Sequence, residues 1–303
     1  MAVNVKAAGR RKKIKTSAGD KIFGVFNYLF IGVFSLACVF PLFYVFMYSI
    51  TPYTDYLTNP VRLFPPSITL IAYRELFNFP LMKTSYASTL FITIVGTLIN
   101  VALLCISAYP LSKKHLKGRG ITMGLITFTM FFNGGMIPNF LLVKNLGLLD
   151  TYWSLILPSA MSAYNLILMR NFVAAIPASL EEAAFIDGAN ELQILSRIII
   201  PLSTPAIATF TLFHAVGHWN SYFNAILYIS SRSKWPLTLL VREMVVESGT
   251  GMVQQSATVM EDLAQPFTLK MAIIIFTIVP ILLVYPFVQK YFMKGMMLGS
   301  VKG

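Results

Sequence analysis

Six stretches of this chain stay apolar for long enough to cross a lipid bilayer: about Ile22–Ile50, Ser88–Leu111, Ile121–Val143, Thr151–Met169, Ser203–Ile229 and Leu269–Phe292. A bilayer's hydrocarbon core takes roughly 20 consecutive, mostly apolar residues to span as a helix. Inside it every backbone N–H and C=O must find a partner within the protein, which leaves helices or closed barrels. Barrel strands alternate apolar with polar residues. These runs do not alternate, so the spans are helical. Composition agrees, with 56% of residues apolar and only 12% charged, against about a quarter charged in soluble domains. The expected fold class is an all-α integral membrane protein with six transmembrane helices.

The first run follows a basic leader (Lys6, Arg10, Arg11, Lys12, Lys13, Lys15), as a secretory signal does. Its apolar part far exceeds the roughly 7–15 residues of a signal's hydrophobic region, so it reads as a retained span. The chain then divides into a cytosolic basic segment, 1–21, and one six-span domain, 22–303. Cys38 and Cys105 fall inside spans and read as small buried apolar residues rather than a disulfide. Lys and Arg collect in the loops on the cytosolic side. With the N-terminus inside, 16 of the 24 Lys and Arg lie on the inner side, so both termini are expected in the cytosol. This accounts for much of the net charge of +12, which faces the anionic lipid of the inner leaflet. Nucleic acid is not expected as a partner.

Three connections are long enough to carry structure of their own. In the first outer loop, 51–87, two prolines followed by apolar periodicity predict a short surface helix near Leu70–Phe77. In the third outer loop, 230–268, WPLTLLVREMVVESGTG predicts another with a Gly-rich exit. The inner connection, 170–202, differs from both. Four of the chain's 12 carboxylates, Glu181, Glu182, Asp187 and Glu191, fall within eleven of its residues. Ser179 three residues before Glu182 makes a capping box after Pro177, and acids in a first turn suit the helix dipole. Gly188 stands where a helix ends on a left-handed residue. Asn190 and Gln193 repeat the capping pattern, and a second short helix runs towards Pro201. Neither helix is long enough to be stable alone in water. A helix resting on lipid headgroups normally shows Lys and Arg on its polar face, whereas this one would offer carboxylates to an anionic leaflet. A protein partner with a basic, apolar groove fits better.

The run Glu182-Ala183-Ala184, three residues, Gly188, nine residues, Ile198, one residue, Ile200-Pro201 resembles the EAA loop, EAA-x3-G-x9-I-x-L-P, of permease subunits of binding-protein-dependent ABC importers. Only Ile200, in place of Leu, departs from it. The stretches FFNGGMIPNFLLVKNLGLLDTYWSLILP (131–158) and FHAVGHWNSYFNAILYI (213–229) are similar to the carbohydrate-uptake branch that handles complex oligosaccharides, alginate-type importers among them. The likeness runs from about Ile22 to the C-terminus. It implies a type I importer permease fold in a bacterial cytoplasmic membrane, with a cytosolic helix–Gly–helix EAA loop at about 171–202. It implies a second homologous permease, two ATPase subunits that carry ATP and Mg, an extracytoplasmic solute-binding protein and an oligosaccharide substrate. Glu181, Glu182, Ala183, Ala184, Asp187, Gly188, Ala189 and Asn190 would couple this chain to the ATPase. No G-x4-G-K-[ST] phosphate loop occurs, so ATP hydrolysis by that chemistry belongs to other chains. No enzyme activity and no cofactor are expected in this one.

Polar side chains inside spans are costly and mark either function or helix contacts. The fifth span holds His214, His218, Trp219, Asn220, Ser221, Tyr222 and Asn224, the third Asn133, and the fourth Tyr164 and Asn165. Along a substrate pathway they would offer aromatic faces to sugar rings and amides or imidazoles to hydroxyls; as packing they would join spans. His214 and His218 share a helical face, as zinc-binding pairs do. The one further histidine, His115, lies in a cytosolic loop and no H-E-x-x-H is present, so no metal is expected. The alternative function is a carrier driven by an ion gradient. It would want a carboxylate within a span, and no Asp or Glu falls in any of the six. An intramembrane enzyme has only the His pair in its favour. An acidic oligosaccharide would suit the outer Arg62, Arg74, Arg232, Lys234 and Arg242; a neutral glycan is equally compatible with the sequence.

Overall fold

The computed structural model describes residues 18–52, 55, 58, 63–246 and 266–300. Among these every regular element is helical: α1 (Ala18–Ser49), α2 (Ile71–Asn78), α3 (Pro80–Ser112), α4 (Arg119–Phe131), α5 (Met136–Asn145), α6 (Trp153–Ile156), α7 (Ala163–Ala174), α8 (Ala178–Ile186), α9 (Glu191–Leu202), α10 (Thr204–Trp219), α11 (Phe223–Tyr228), α12 (Leu237–Val246) and α13 (Pro266–Ser300). The two short outer helices expected from sequence are α2 and α12. The basic leader, Arg62, the Gly-rich exit and Lys302 lie outside the described residues.

Three segments are each long and apolar enough to cross a membrane unbroken, Gly19–Ser49, Pro80–Ser112 and Phe267–Pro286. Two bent pairs raise the number of candidate spans to five: α4 with α5, at 116°, and α9 with α10, at 81°. The other expected spans are therefore not straight rods. The third breaks at Phe132–Gly135, where Asn133 Oδ1 accepts the Gly135 N–H at 2.9 Å and Gly135 takes φ +88°. The fourth, expected over Thr151–Met169, is α6, a 3-10 turn at Leu157–Ser159, and α7. Pro158 brings no N–H to that turn, and the Ser162 hydroxyl caps α7 by accepting from Asn165 N–H. The fifth stops at Trp219, where the Asn220 backbone and side-chain N–H groups both turn back to the Val216 carbonyl.

α3 is the axis of the fold. Its buried stripe, Ser85, Ser88, Thr89, Ile92, Gly96, Asn100, Leu104 and Ala108, repeats at helical spacing and is mostly small or polar, which lets neighbouring helices approach closely. α10 and α7 pack along it. An inner core joins Leu104, Ala108, Leu166, Met169, Ile194, Ile199 and Phe210. An outer core joins Leu76, Met82, Trp219, Leu237, Leu240 and Ile273. α1 packs mainly on α13 and otherwise presents apolar side chains outward, among them a ladder of Phe26, Phe30 and Phe34 with 6.5 Å between successive ring centroids.

One polar knot ties the segment before α6 to residues 230–234. Asp150 Oδ1 accepts the N–H groups of Ser230 (3.1 Å) and Ser231 (2.8 Å), and Oδ2 accepts the Ser231 hydroxyl (2.6 Å) and Lys234 Nζ (3.0 Å). The Ser231 hydroxyl and N–H, then Lys234, hold its carboxyl below the usual carboxylate range.

Candidate functional site

The acidic loop forms two helices around Gly188. α8 begins at Ala178 with Pro177 as its N-cap and no capping side chain. The expected Ser179–Glu182 capping box is therefore absent: starting at Ala178 puts Ser179 inside the first turn. The C-terminal end follows expectation. Gly188 takes φ +81°, its N–H donates to Phe185 O (3.0 Å), and the Ala189 N–H donates to Ala184 O (2.9 Å), a Schellman ending. The second capping box also forms, with Asn190 Oδ1 accepting from Gln193 N–H and Gln193 Oε1 from Asn190 N–H, each at 2.9 Å. Ala184 and Ala189 pack inward on the inner core. Ala183, Glu182 and Asp187 point outward beside Leu180, Phe185, Ile186 (87% exposed) and Leu192 (76% exposed).

This loop hangs from the inner end of α3. Glu181 pairs with Lys113, whose Nζ lies 4.3 Å from the centroid of the Tyr109 ring, and the Tyr109 hydroxyl donates to Glu191. The last carbonyls of a helix lack intrahelical partners; here Leu111 O accepts both Arg119 Nε (2.9 Å) and Arg170 Nε (3.1 Å). Lys113 thus fastens the loop to α3, while Arg119 and Arg170 tie the starts of α4 and of the 170–202 connection to the same helix end.

Further along α3, Asn100 meets the histidine pair. Its Nδ2 donates to Ser159 O (3.2 Å) and lies 2.9 Å from His214 Nδ1 and 3.1 Å from His218 Nε2. Asn165 Nδ2 lies 3.4 Å from His214 Nε2. An amide nitrogen carries two protons, so it cannot serve all three acceptors at once. Asn100 Oδ1 is itself buried with no partner among the described residues. The His218 ring lies against Gly96, where a Cβ would come within 2.6 Å of Nε2. These groups open onto a cavity of about 310 Å³ lined also by Phe213, Asn220, Ser221, Tyr222 and Asn224. A second, of about 410 Å³, adjoins it through Ser159 and Asn224 and extends past Asn139 and Tyr228.

Of the residues assigned to a pathway from sequence, His214, His218, Asn220, Tyr222 and Asn224 line the first cavity and Asn165 touches its edge through His214. Trp219 does not: it is buried in the outer core, edge-on to Tyr86 at 6.0 Å. Asn133 is a turn residue at the α4–α5 break, and Tyr164 is exposed. Asn100, Gly96 and Ser159 join the site from the fold; of these, Asn100 carries a signal in the sequence, an amide in the middle of an apolar span. Among the described residues no group of three or more His, Cys, Asp or Glu could hold a metal.

Residues 14–297 match the family model described as the binding-protein-dependent transport system inner membrane component. A polygalacturonan/rhamnogalacturonan transport system permease protein, YtcP of Bacillus subtilis (strain 168), is 45% identical over 94% of this chain and 99% of its own length. LplC of the same organism is 44% identical over 95% and 97%. A chain from the crystal structure of a bacterial ABC transporter that imports the acidic polysaccharide alginate superposes with a TM-score of 0.86, at 38% identity, covering 92% of this chain and all of that one. A chain of an alginate ABC transporter in complex with an alginate pentasaccharide-bound periplasmic protein has a TM-score of 0.56 at 16% identity, which shows the shared fold.

Proposed function

Because the chain belongs to the inner membrane components of binding-protein-dependent transport systems, we propose that it forms one half of the pathway of an ATP-driven oligosaccharide importer and is driven through its α8–Gly188–α9 loop. It is a type I permease, a transport subunit rather than a catalyst, and a gradient-driven carrier is no longer needed to explain it. ATP and Mg belong to two partner ATPase chains, the other half of the pathway to a second homologous permease, and delivery of substrate to an extracytoplasmic binding protein. The chain sits in a bacterial cytoplasmic membrane with both termini and the acidic loop on the cytosolic side.

The observation that carries this reading is the loop's two-sidedness. Its small residues, Ala184 and Ala189, seat it against the inner core, while Glu182, Asp187, Ile186 and Leu192 are left uncovered. An exposed face that mixes apolar and acidic groups suits a basic, apolar socket on another chain. The relatives support an acidic substrate, since polygalacturonan and alginate are acidic polymers, and this chain's two adjoining cavities suit successive units of a uronate oligosaccharide.

The test is a mild-detergent purification from the native membrane, with Ile186→Cys carrying a cross-linker. A co-purifying second permease and ABC ATPase, with the cross-link on the ATPase, is the expected result. A chain that purifies alone or as a homodimer, with no ATPase, overturns the reading.

A further inference from the structure

The two cavities contain no charged residue of either sign in their linings. A carboxylate-bearing sugar entering them needs a counter-charge from the rim, because an unpaired charge is expensive where water is scarce. The structure sorts the outer cations that sequence offered for this task. Arg232 pairs with Glu243 at 2.7 Å, and Lys234 with Asp150 at 3.0 Å. Arg74, exposed on α2, and Arg242 make no ion pair among the described residues, and of the two it is Arg242 that meets an aromatic ring of the cavity lining. Its guanidinium lies 5.1 Å from the centroid of the Tyr222 ring, and Tyr222 lines the first cavity. Helix α12, which carries Arg242, is tied to the same rim by the Thr238 hydroxyl donating to Ser221 O at 3.1 Å.

A guanidinium over an aromatic face still has N–H groups to offer, and two of them match a carboxylate with two parallel bonds. Asn100 also lines the cavity; it is 1% exposed, and its Oδ1 is a buried acceptor with no donor among the described residues. A sugar hydroxyl supplies the missing donor. The cavity thus carries an aromatic ring and a buried acceptor in its lining, with the Arg242 cation against that ring.

Resting on the reading above that the substrate is an acidic oligosaccharide, we propose that Arg242 is a specificity-determining residue of the pathway. Held over Tyr222, it pairs with the carboxylate of a uronate unit whose ring lies in the cavity and donates a hydroxyl proton to Asn100 Oδ1.

The experiment uses the complete transporter, reconstituted in vesicles with its binding protein, and compares uptake of a galacturonate trimer with that of its methyl ester. The same binding protein serves every variant, so its own preference cancels from the acid-to-ester ratio. Arg242→Gln is expected to lower that ratio about tenfold, the scale of one charge-assisted hydrogen bond, and Arg242→Lys, which keeps the charge, to recover part of it. An unchanged ratio in Arg242→Gln, including equal loss of both substrates, overturns the assignment while leaving the substrate class standing. Wild-type transporter that takes up neither trimer overturns the substrate class itself, and the assignment with it.

Discussion

At position 96 the fold has room for a hydrogen atom and nothing larger. A Cβ there would stand 2.6–2.9 Å from three atoms of the His218 ring, and that ring is itself caught between Gly96 and Asn100. Gly96→Ala is expected to lower stability by about 1–3 kcal/mol through overpacking, read as an earlier thermal transition of the purified complex, with uptake reduced as the imidazoles are displaced. An unchanged transition would mean that His218 has somewhere to go. Trp219 teaches the complementary lesson. An aromatic next to a polar cluster looks like a sugar platform in sequence. One helical position past His218, however, is about 100° around the axis, and that is enough to turn Trp219 from the cavity into the outer core.

Among the elements, the α8–α9 loop is legible at the Gly188 ending and the Asn190 cap, which are local chemistry, but not at the start of α8, which begins at Ala178 without the Ser179–Glu182 box. Gly188 ends α8 in the left-handed region, where a side chain costs about 1–2 kcal/mol. Gly188→Leu is expected to leave membrane insertion intact while ATP hydrolysis proceeds with little uptake, measured as the ratio of sugar transported to ATP hydrolysed in vesicles. An unaltered ratio would remove the loop from the coupling path. The broken spans were less legible. Hydropathy averages over a window and registers how greasy a segment is, not whether it is straight. Asn133-Gly134-Gly135 and Pro158 lie inside runs apolar enough to hide the turns they make.

Taken whole, the molecule has an uneven surface. α1 packs mainly on α13, and most of its exposed side chains are apolar, as expected of a helix bathed in lipid or covered by a second permease. Asp150 ties the segment before α6 to the chain at 230–234, about 80 residues on. Its carboxyl is held below the usual range in the folded state, so its contribution is fully present above the unfolded value of about 3.9. That contribution is lost only as pH falls below it. The thermal transition is expected to be insensitive to this group between about pH 5 and 8 and to fall in stronger acid. Asp150→Asn should abolish the acid-side slope; a slope unchanged in the variant would show that other carboxylates carry it.

What the sequence determined by itself was whatever depends on near neighbours or on averages over a window. Span-length apolar runs follow from the bilayer's thickness, the Gly188 ending and the Asn190 cap from local backbone geometry, and the loop's unsuitability for a lipid surface from its charge. What only the tertiary structure decided depends on residues far apart. Asn100 and His218 are 118 positions distant and meet at 3.1 Å; Lys113 and Glu181 pair across 68. Arg232 and Lys234 look as free as Arg242 until folding gives each of them a carboxylate. Sequence supplies the inventory of charges and amides, but their pairing is set by which helices cross, and here the crossing is set by the small residues of α3.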